Sequence, residues 1–237
     1  MFRAAVLLIA ALGVAQAHDI ITTNITWSRE ISRLVNKRCM ACHTHNDPNS
    51  LFSFVTYEKA RPWAKAMKEE AEARRMPPWG AVKGFGAFKD DRGLTQEEIE
   101  LLAAWVEGGA PEGDPKYDPP APKPSDWQDP AAPDGASQSV VSSDSKIDSS
   151  EQLVAIRPKD MNKGTTVQIF AARPDGTVQP LLWIYQYNPK FTRTFYYRDP
   201  VSLPAGTQIV MSPGDTGSTV TLFGKAPVQA ADSRTGF

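Results

Sequence analysis

The chain has 237 residues, 26 basic and 27 acidic side chains, and a formal net charge of −1. So balanced a surface supplies no field to gather nucleic acid or an anionic lipid face, and neither is an expected partner. The length suits one large domain or two modest ones, each able to bury a core.

The chain opens with "MFRAAVLLIAALGVAQA", where one Arg precedes an apolar run that ends in Ala15-Gln16-Ala17. This small-x-small ending fits a signal peptide over residues 1–17, cut so that the mature chain begins at His18. The run falls short of the roughly 20 residues a spanning helix needs. No other segment approaches that length, so the expected product has no membrane span and is exported, most simply to the periplasm. His18 alone brings too few ligands to hold copper.

Helical signals follow. From Ser28 to Cys39, Ser28 reads as an N-cap, Glu30 sits in the first turn, Ile31, Leu34 and Val35 share a face, and Lys37 and Arg38 close the C-terminal end. A second helical stretch begins after Thr56, and Pro62 restarts it at a first helical position; Pro77 and Pro78 stop it. The third, "LTQEEIELLAAWVEGG", carries a capping box from Thr95 to Glu98 and an apolar face of Ile99, Leu102, Trp105 and Val106. Residues 18–113 therefore read as a small all-α domain.

From Pro111 to Pro133, eight of 23 residues are proline, and between 114 and 150 there are seven acidic against three basic side chains. Residues 114–150 read as an extended acidic Pro/Ser-rich linker. Short β-branched and aromatic runs follow: "QLVAIRP", "TTVQIFAA", "TVQPLLWIYQY", "RTFYYRD", "GTQIVM" and "STVTLF", with a turn at Pro174-Asp175-Gly176. Residues 151–228 read as a small antiparallel β-sandwich-like domain with a tail over 229–237. The expected fold class is multidomain, α then β, joined by the Pro-rich linker.

The chemistry concentrates in "NKRCMACHTH", which holds both cysteines and two of the three histidines. In an oxidising compartment two cysteines would ordinarily pair, but two only three positions apart close too small a loop to stabilise much of a fold. Zinc needs a site closed from two sides, and here every candidate ligand lies within seven residues. A redox dithiol expects its Cys-x-x-Cys at a helix N-terminus in a βαβ setting, whereas this one follows a helix.

Covalent attachment of a single haem c uses every residue of the motif. Cys39 and Cys42 can each form a thioether to a haem vinyl group, and His43 supplies the proximal imidazole for iron. His45 is too near His43 to reach the other face of the porphyrin and reads as a turn residue. Met76, in "RRMPPWG", is the expected distal ligand, since Pro77-Pro78 would hold an extended backbone around it. Met67 reads as core filler, and Met40 lies inside the attachment loop. Trp63, Trp79 and Trp105 are candidates to pack against the haem edge, with Arg61 or an indole N–H as a candidate propionate donor.

"RCMACH", "LFSFVTYEKARPWAKAMKEEAEARRMPPW" and "LTQEEIELLAAWVEGGAPEGDP" resemble the bacterial cytochrome c domain found ahead of copper type II ascorbate-dependent monooxygenase-like domains, over roughly residues 24–115. The resemblance implies haem c on Cys39, Cys42 and His43, with Met76 opposite. "IRPKDMNKGTTVQIFAARPDGTVQPLLWIYQYNPKFTRTFYYRDPVSLPAGTQIVM" is similar to the second β-sandwich half of the monooxygenase-like region. Where that family carries a His-x-His copper pair, this chain has Lys159, Asp160 and Met161, and no histidine follows His45. Met161 and Met211 cannot replace imidazole ligands for oxygen-activating copper, so monooxygenase activity is not expected.

The leading expectation is an electron-transfer protein serving a redox partner or a larger electron-transfer complex, with the β domain as a docking or structural module. The alternatives are a haem enzyme with an open distal position and an interaction subunit in which haem only staples the fold.

Overall fold

The computed structural model describes residues 24–44, 53–120, 131–214 and 216–227. Near the start, a π-helical turn, Trp27–Ile31, runs into α1 (Ser32–Arg38). Thr26 flanks it in extended conformation, and its backbone N–H donates to the Glu30 carboxylate at 2.9 Å. The helical path thus begins one residue before Ser28, whose side chain is buried instead of capping.

After α2 (Tyr57–Ala60), a 3₁₀ turn carrying Pro62 leads into α3 (Ala64–Glu72). That helix stops at Glu72, before Pro77 is reached, because Arg74 takes a left-handed φ of 55°. α4 (Gln96–Glu107) has the capping box its sequence requires: Glu98 N–H donates to Thr95 Oγ1 at 3.1 Å and Thr95 N–H to Glu98 Oε2 at 2.9 Å. Its Ile99, Leu102 and Trp105 are buried against Ile31, Val35 and Met67. Trp105 places its indole N–H on Pro111 O at 2.9 Å and lies 6.1 Å from the ring of Trp27.

Seven strands make up the rest: β1 (Ser137–Val141), β2 (Glu151–Pro158), β3 (Val167–Ala172), β4 (Val178–Ile184), β5 (Phe195–Leu203), β6 (Gln208–Ser212) and β7 (Val220–Lys225). They form two antiparallel sheets, ordered β1-β7-β2-β5 and β4-β3-β6. Alternation along β3 buries Val167, Ile169 and Ala171. The β3–β4 turn forms at Pro174-Asp175-Gly176, where Gly176 takes a φ of 84° and the Asp175 carboxylate accepts the Thr177 N–H at 2.9 Å. A hydrogen bond from Tyr197 on β5 to Leu181 O on β4, 3.0 Å long and buried, ties one sheet to the other.

The expectation of an all-α domain followed by a separate β domain is overturned. Among the described residues three short helices beyond a single turn stand against seven strands, and the structure they form is mainly β. Residues 77–93 cause much of the difference. They contain no helix, and Trp79, Ala81 and Phe88 are buried in the core of the sheets. Val82 N–H donates to Trp183 O and Tyr185 N–H to Gly80 O, at 2.8 and 3.1 Å, along the edge of β4. Lys89 N–H donates to Tyr196 O and Arg198 N–H to Ala87 O, both at 2.8 Å, along the edge of β5.

This stretch therefore straps the edge strand of one sheet to the edge strand of the other. Edge strands carry unpaired backbone groups, and the strap satisfies part of each row. β1 and the buried Ile147 likewise arise inside the stretch whose composition reads as linker. β7 recruits β1 with a register from Ser137 opposite Gly224 to Val141 opposite Val220.

Candidate functional site

The Cys39-to-His43 motif lies where α1 ends. Cys39 is the C-terminal cap residue, its N–H donating to Val35 O at 2.8 Å. The next turn closes on Cys39 O, which accepts the Cys42 N–H at 3.1 Å and the His43 N–H at 3.0 Å. Residues three apart on such a turn share a side, so Cys39, Cys42 and His43 belong to one turn of backbone. Met40 between the two cysteines is buried in the helical core.

Cys39, Cys42 and His43 are each half-buried, and no disulfide joins the two cysteines. The His43 ring stacks on Phe54 with centroids 4.4 Å apart and planes at 19°, and Phe54 N–H donates to His43 O at 3.1 Å. Desolvation pushes the Cys39 thiol up to about 12, with Cys42 adding to the rise, Arg38 opposing it and Glu98 adding again.

A guanidinium–carboxylate pair pins the motif. Arg38, one residue before Cys39, donates through Nε and NH2 to the Glu98 carboxylate at 2.9 to 3.0 Å, and through NH1 to Asp91 O at 2.9 Å. Burial alone would push the Glu98 carboxyl up, but the bond from Arg38, the Thr95 N–H and Lys37 outweigh it and hold the group below its usual range. Arg38, Glu98 and Phe54 are the site residues that sequence reasoning missed. Glu98 is visible in the sequence only as half of a capping box, and its partner stands 60 positions away.

Met76 is 37 % exposed and follows α3, with its N–H on Glu70 O at 3.2 Å. It lines a cavity of about 30 Å³ together with Trp79, Gly80, Leu94, Ile99 and Tyr185. Cys39, Cys42 and His43 are not among the residues lining it. The two groups share a neighbour: Arg38 bonds Asp91 O and Glu98, and Gly93, Leu94 and Ile99 line the Met76 cavity. The turn leading into α4 thus lies between the attachment segment and Met76.

The residues expected to pack against haem are dispersed. Trp63 is 41 % exposed on the 3₁₀ turn, and Arg61 beside it is exposed. Trp79 belongs to the core of the sheets, where its ring meets Phe195 edge-on, centroids 5.1 Å apart. Arg193, itself buried, lies over the Trp79 ring at 5.4 Å. The Trp79 indole nitrogen is buried and makes no hydrogen bond. Trp105 is fully buried in the helical core.

His45, His18 and the expected signal peptide over 1–17 lie outside the described residues. Among the described residues, no group of three His, Cys, Asp or Glu side chains is placed to hold a metal ion, and no helix is long and apolar enough to cross a membrane.

Two thiols and an imidazole thus belong to one closed backbone turn, while Met76 lines a cavity that Cys39, Cys42 and His43 do not line. Compared with protein-family models, curated proteins and solved structures, the chain matches none.

Proposed function

We propose that this chain is an exported mono-haem c-type cytochrome that transfers electrons. In this reading Cys39 and Cys42 carry the haem as thioethers, His43 is its proximal ligand and Met76 its distal one. Bound there, the iron would cycle between ferric and ferrous states, moving one electron at a time.

The observation that carries the reading is the closed turn from Cys39 to His43 at the end of α1, with Cys42 and His43 N–H groups both on Cys39 O. Both cysteines and the histidine belong to that one turn. Arg38 locks that turn against α4 through Glu98. Phe54 holds the imidazole plane by stacking on it. Fixed ligands lower the reorganisation that a change of iron charge would otherwise cost. The sandwich would serve as the docking module toward a redox partner or a larger electron-transfer complex, since no histidine beyond His45 remains for copper chemistry.

The test is expression with export and haem-attachment machinery, followed by denaturation and extraction. Wild type is expected to keep its haem on the polypeptide and to give a reduced pyridine spectrum shifted as two thioether links require. Cys39→Ser and Cys42→Ser should each shift that spectrum toward one remaining link, and the double variant should release the haem. Wild-type protein that carries no covalent haem would overturn the reading. Immediate binding of carbon monoxide by the reduced protein would favour an open distal position and an enzyme.

A further inference from the structure

Trp79 is 6 % exposed, and its indole nitrogen is buried with no hydrogen-bond partner. An N–H taken out of water costs stability unless something accepts it. The ring lines the cavity beside α3, and its Cδ1, the carbon bonded to that nitrogen, lies 3.3 Å from the Cβ position of Gly93, another lining residue. The N–H edge of the indole therefore borders the cavity.

Size and charge together select what the N–H can meet there. The cavity of about 30 Å³ has room for one or two water-sized particles, since about 10 to 15 Å³ suffices for one. Organic molecules do not fit. Among the described residues that line it are Arg74 and Lys83 but no Asp or Glu, and the buried Arg193 guanidinium lies 5.4 Å over the Trp79 ring. The Asp91 carboxylate near Gly93 is already engaged, by Lys83 Nζ at 2.7 Å and by the Gly93 N–H at 2.9 Å. Arg74, at a φ of 55°, donates through NH2 to Gln96 Oε1 at 2.9 Å, which holds it at the start of α4. Arg74 and Met76 are exposed lining residues, so the cavity opens to solvent on their side.

We propose that this cavity binds one small monovalent anion of halide size, with the Trp79 Nε1–H as its donor and Arg74, Lys83 and Arg193 supplying the positive field. A cation would meet like charge, and an apolar molecule would leave the N–H unpaired. A hydrogen bond to an ionised acceptor is stronger than one to a neutral water. Nothing in this site requires haem. The lining residues come from the end of α3, the strap, the turn into α4 and Tyr185 after β4. A bound anion thus joins helices to sandwich, and the stability of the full chain rises with anion concentration by mass action.

The experiment uses the full-length protein with bromide as the probe. Thermal midpoints are measured in sodium bromide, sodium chloride and sodium gluconate at matched ionic strength, so that screening of surface charge is common to all three. Gluconate is too large for the cavity. The midpoint is expected to rise saturably with bromide and with chloride and to stay lower in gluconate. Trp79→Phe keeps a ring and removes the donor, and is expected to weaken bromide binding about tenfold. Arg74→Gln should weaken it several-fold. Crystals soaked in bromide should show an anomalous peak beside Trp79 Nε1.

Midpoints that follow ionic strength alone overturn the proposal, as do bromide peaks only elsewhere or a water without anomalous signal in the cavity. So does a Trp79→Phe protein that binds bromide as wild type does. If Trp79→Phe does not fold, the wild-type map and Arg74→Gln decide: an empty map at the cavity, or unchanged bromide affinity in Arg74→Gln, removes the site.

Discussion

The Arg38 guanidinium grips the Glu98 carboxylate through Nε and NH2 at 2.9 to 3.0 Å, joining the residue before Cys39 to the first turn of α4. Both side chains are largely shielded, at 8 and 16 % exposure. That matters because a pair removed from water leaves an uncompensated charge when one partner is deleted. Arg38→Ala is therefore expected to destabilise the protein by about 3 kcal/mol, read from denaturant midpoints. Arg38→Lys should recover only part of the loss, because an ammonium cannot make the two-nitrogen contact and reach Asp91 O as well. Equal stability of Arg38→Ala and wild type would show that the pair does not hold α1 to α4.

The same carboxylate gives a pH dependence with a definite sign. Glu98 is held below the usual carboxylate range in the folded protein, so folding favours its ionised form. The stability it contributes is fully present above the unfolded-chain value and is lost as pH falls through the lower folded value. Glu98→Gln should flatten the acid limb of the thermal stability profile and leave its slope near neutrality unchanged. Glutamine at this position can still complete the capping box, so the comparison isolates the charge. An acid limb as steep as wild type would assign the loss to other carboxylates.

The strap offers a backbone test. Gly86 has a φ of 88°, and a Cβ built there would lie 2.6 Å from Leu181 O. Gly86→Ala meets both a left-handed penalty and a backbone clash, and the expected cost is about 2 kcal/mol, in excess of the ordinary gain from replacing glycine. Gly84, also at positive φ, has open space around its Cβ position. Gly84→Ala should cost about 1 kcal/mol, from φ alone. The difference between the two substitutions measures how tightly the strap lies on β4.

Much of the local structure is legible in the sequence, and the reason is that local signals need no partner. The capping box at Thr95 and Glu98, the turn at Asp175-Gly176 and the alternation along β3 each follow from residues a few positions apart. The strap has no such signal. "AVKGFGAFKD" has neither helical periodicity nor clean alternation, and only the edges of β4 and β5 give it a conformation. Reading it as part of a helical domain follows from the helices on either side, and that proximity in sequence misassigns it. β1 is hidden for a similar reason: its serines look like linker until β7 offers them a ladder. At the candidate site, Cys39, Cys42 and His43 are legible from their spacing, whereas Arg38 and Glu98 need the fold to bring them together.

The division of the chain can be tested by cutting it. A fragment ending at Asp118 would keep α1 to α4 but expose Trp79, Ala81 and Phe88, each 7 % exposed or less in the full chain. Losing the burial of Phe88 alone costs about 2 to 3 kcal/mol. The fragment also loses the bonds of Val82 to Trp183 O and of Lys89 to Tyr196 O. Its expected behaviour is helical circular dichroism with increased binding of a hydrophobic dye. The Val82 and Lys89 amides should exchange rapidly while α4 amides, such as that of Leu102, stay protected. In the full chain those two amides should exchange as slowly as the amides of β4 and β5. Slow exchange at Val82 and Lys89 in the fragment would mean that residues 77–93 fold with the helices alone, and that the sandwich merely rests against a finished unit.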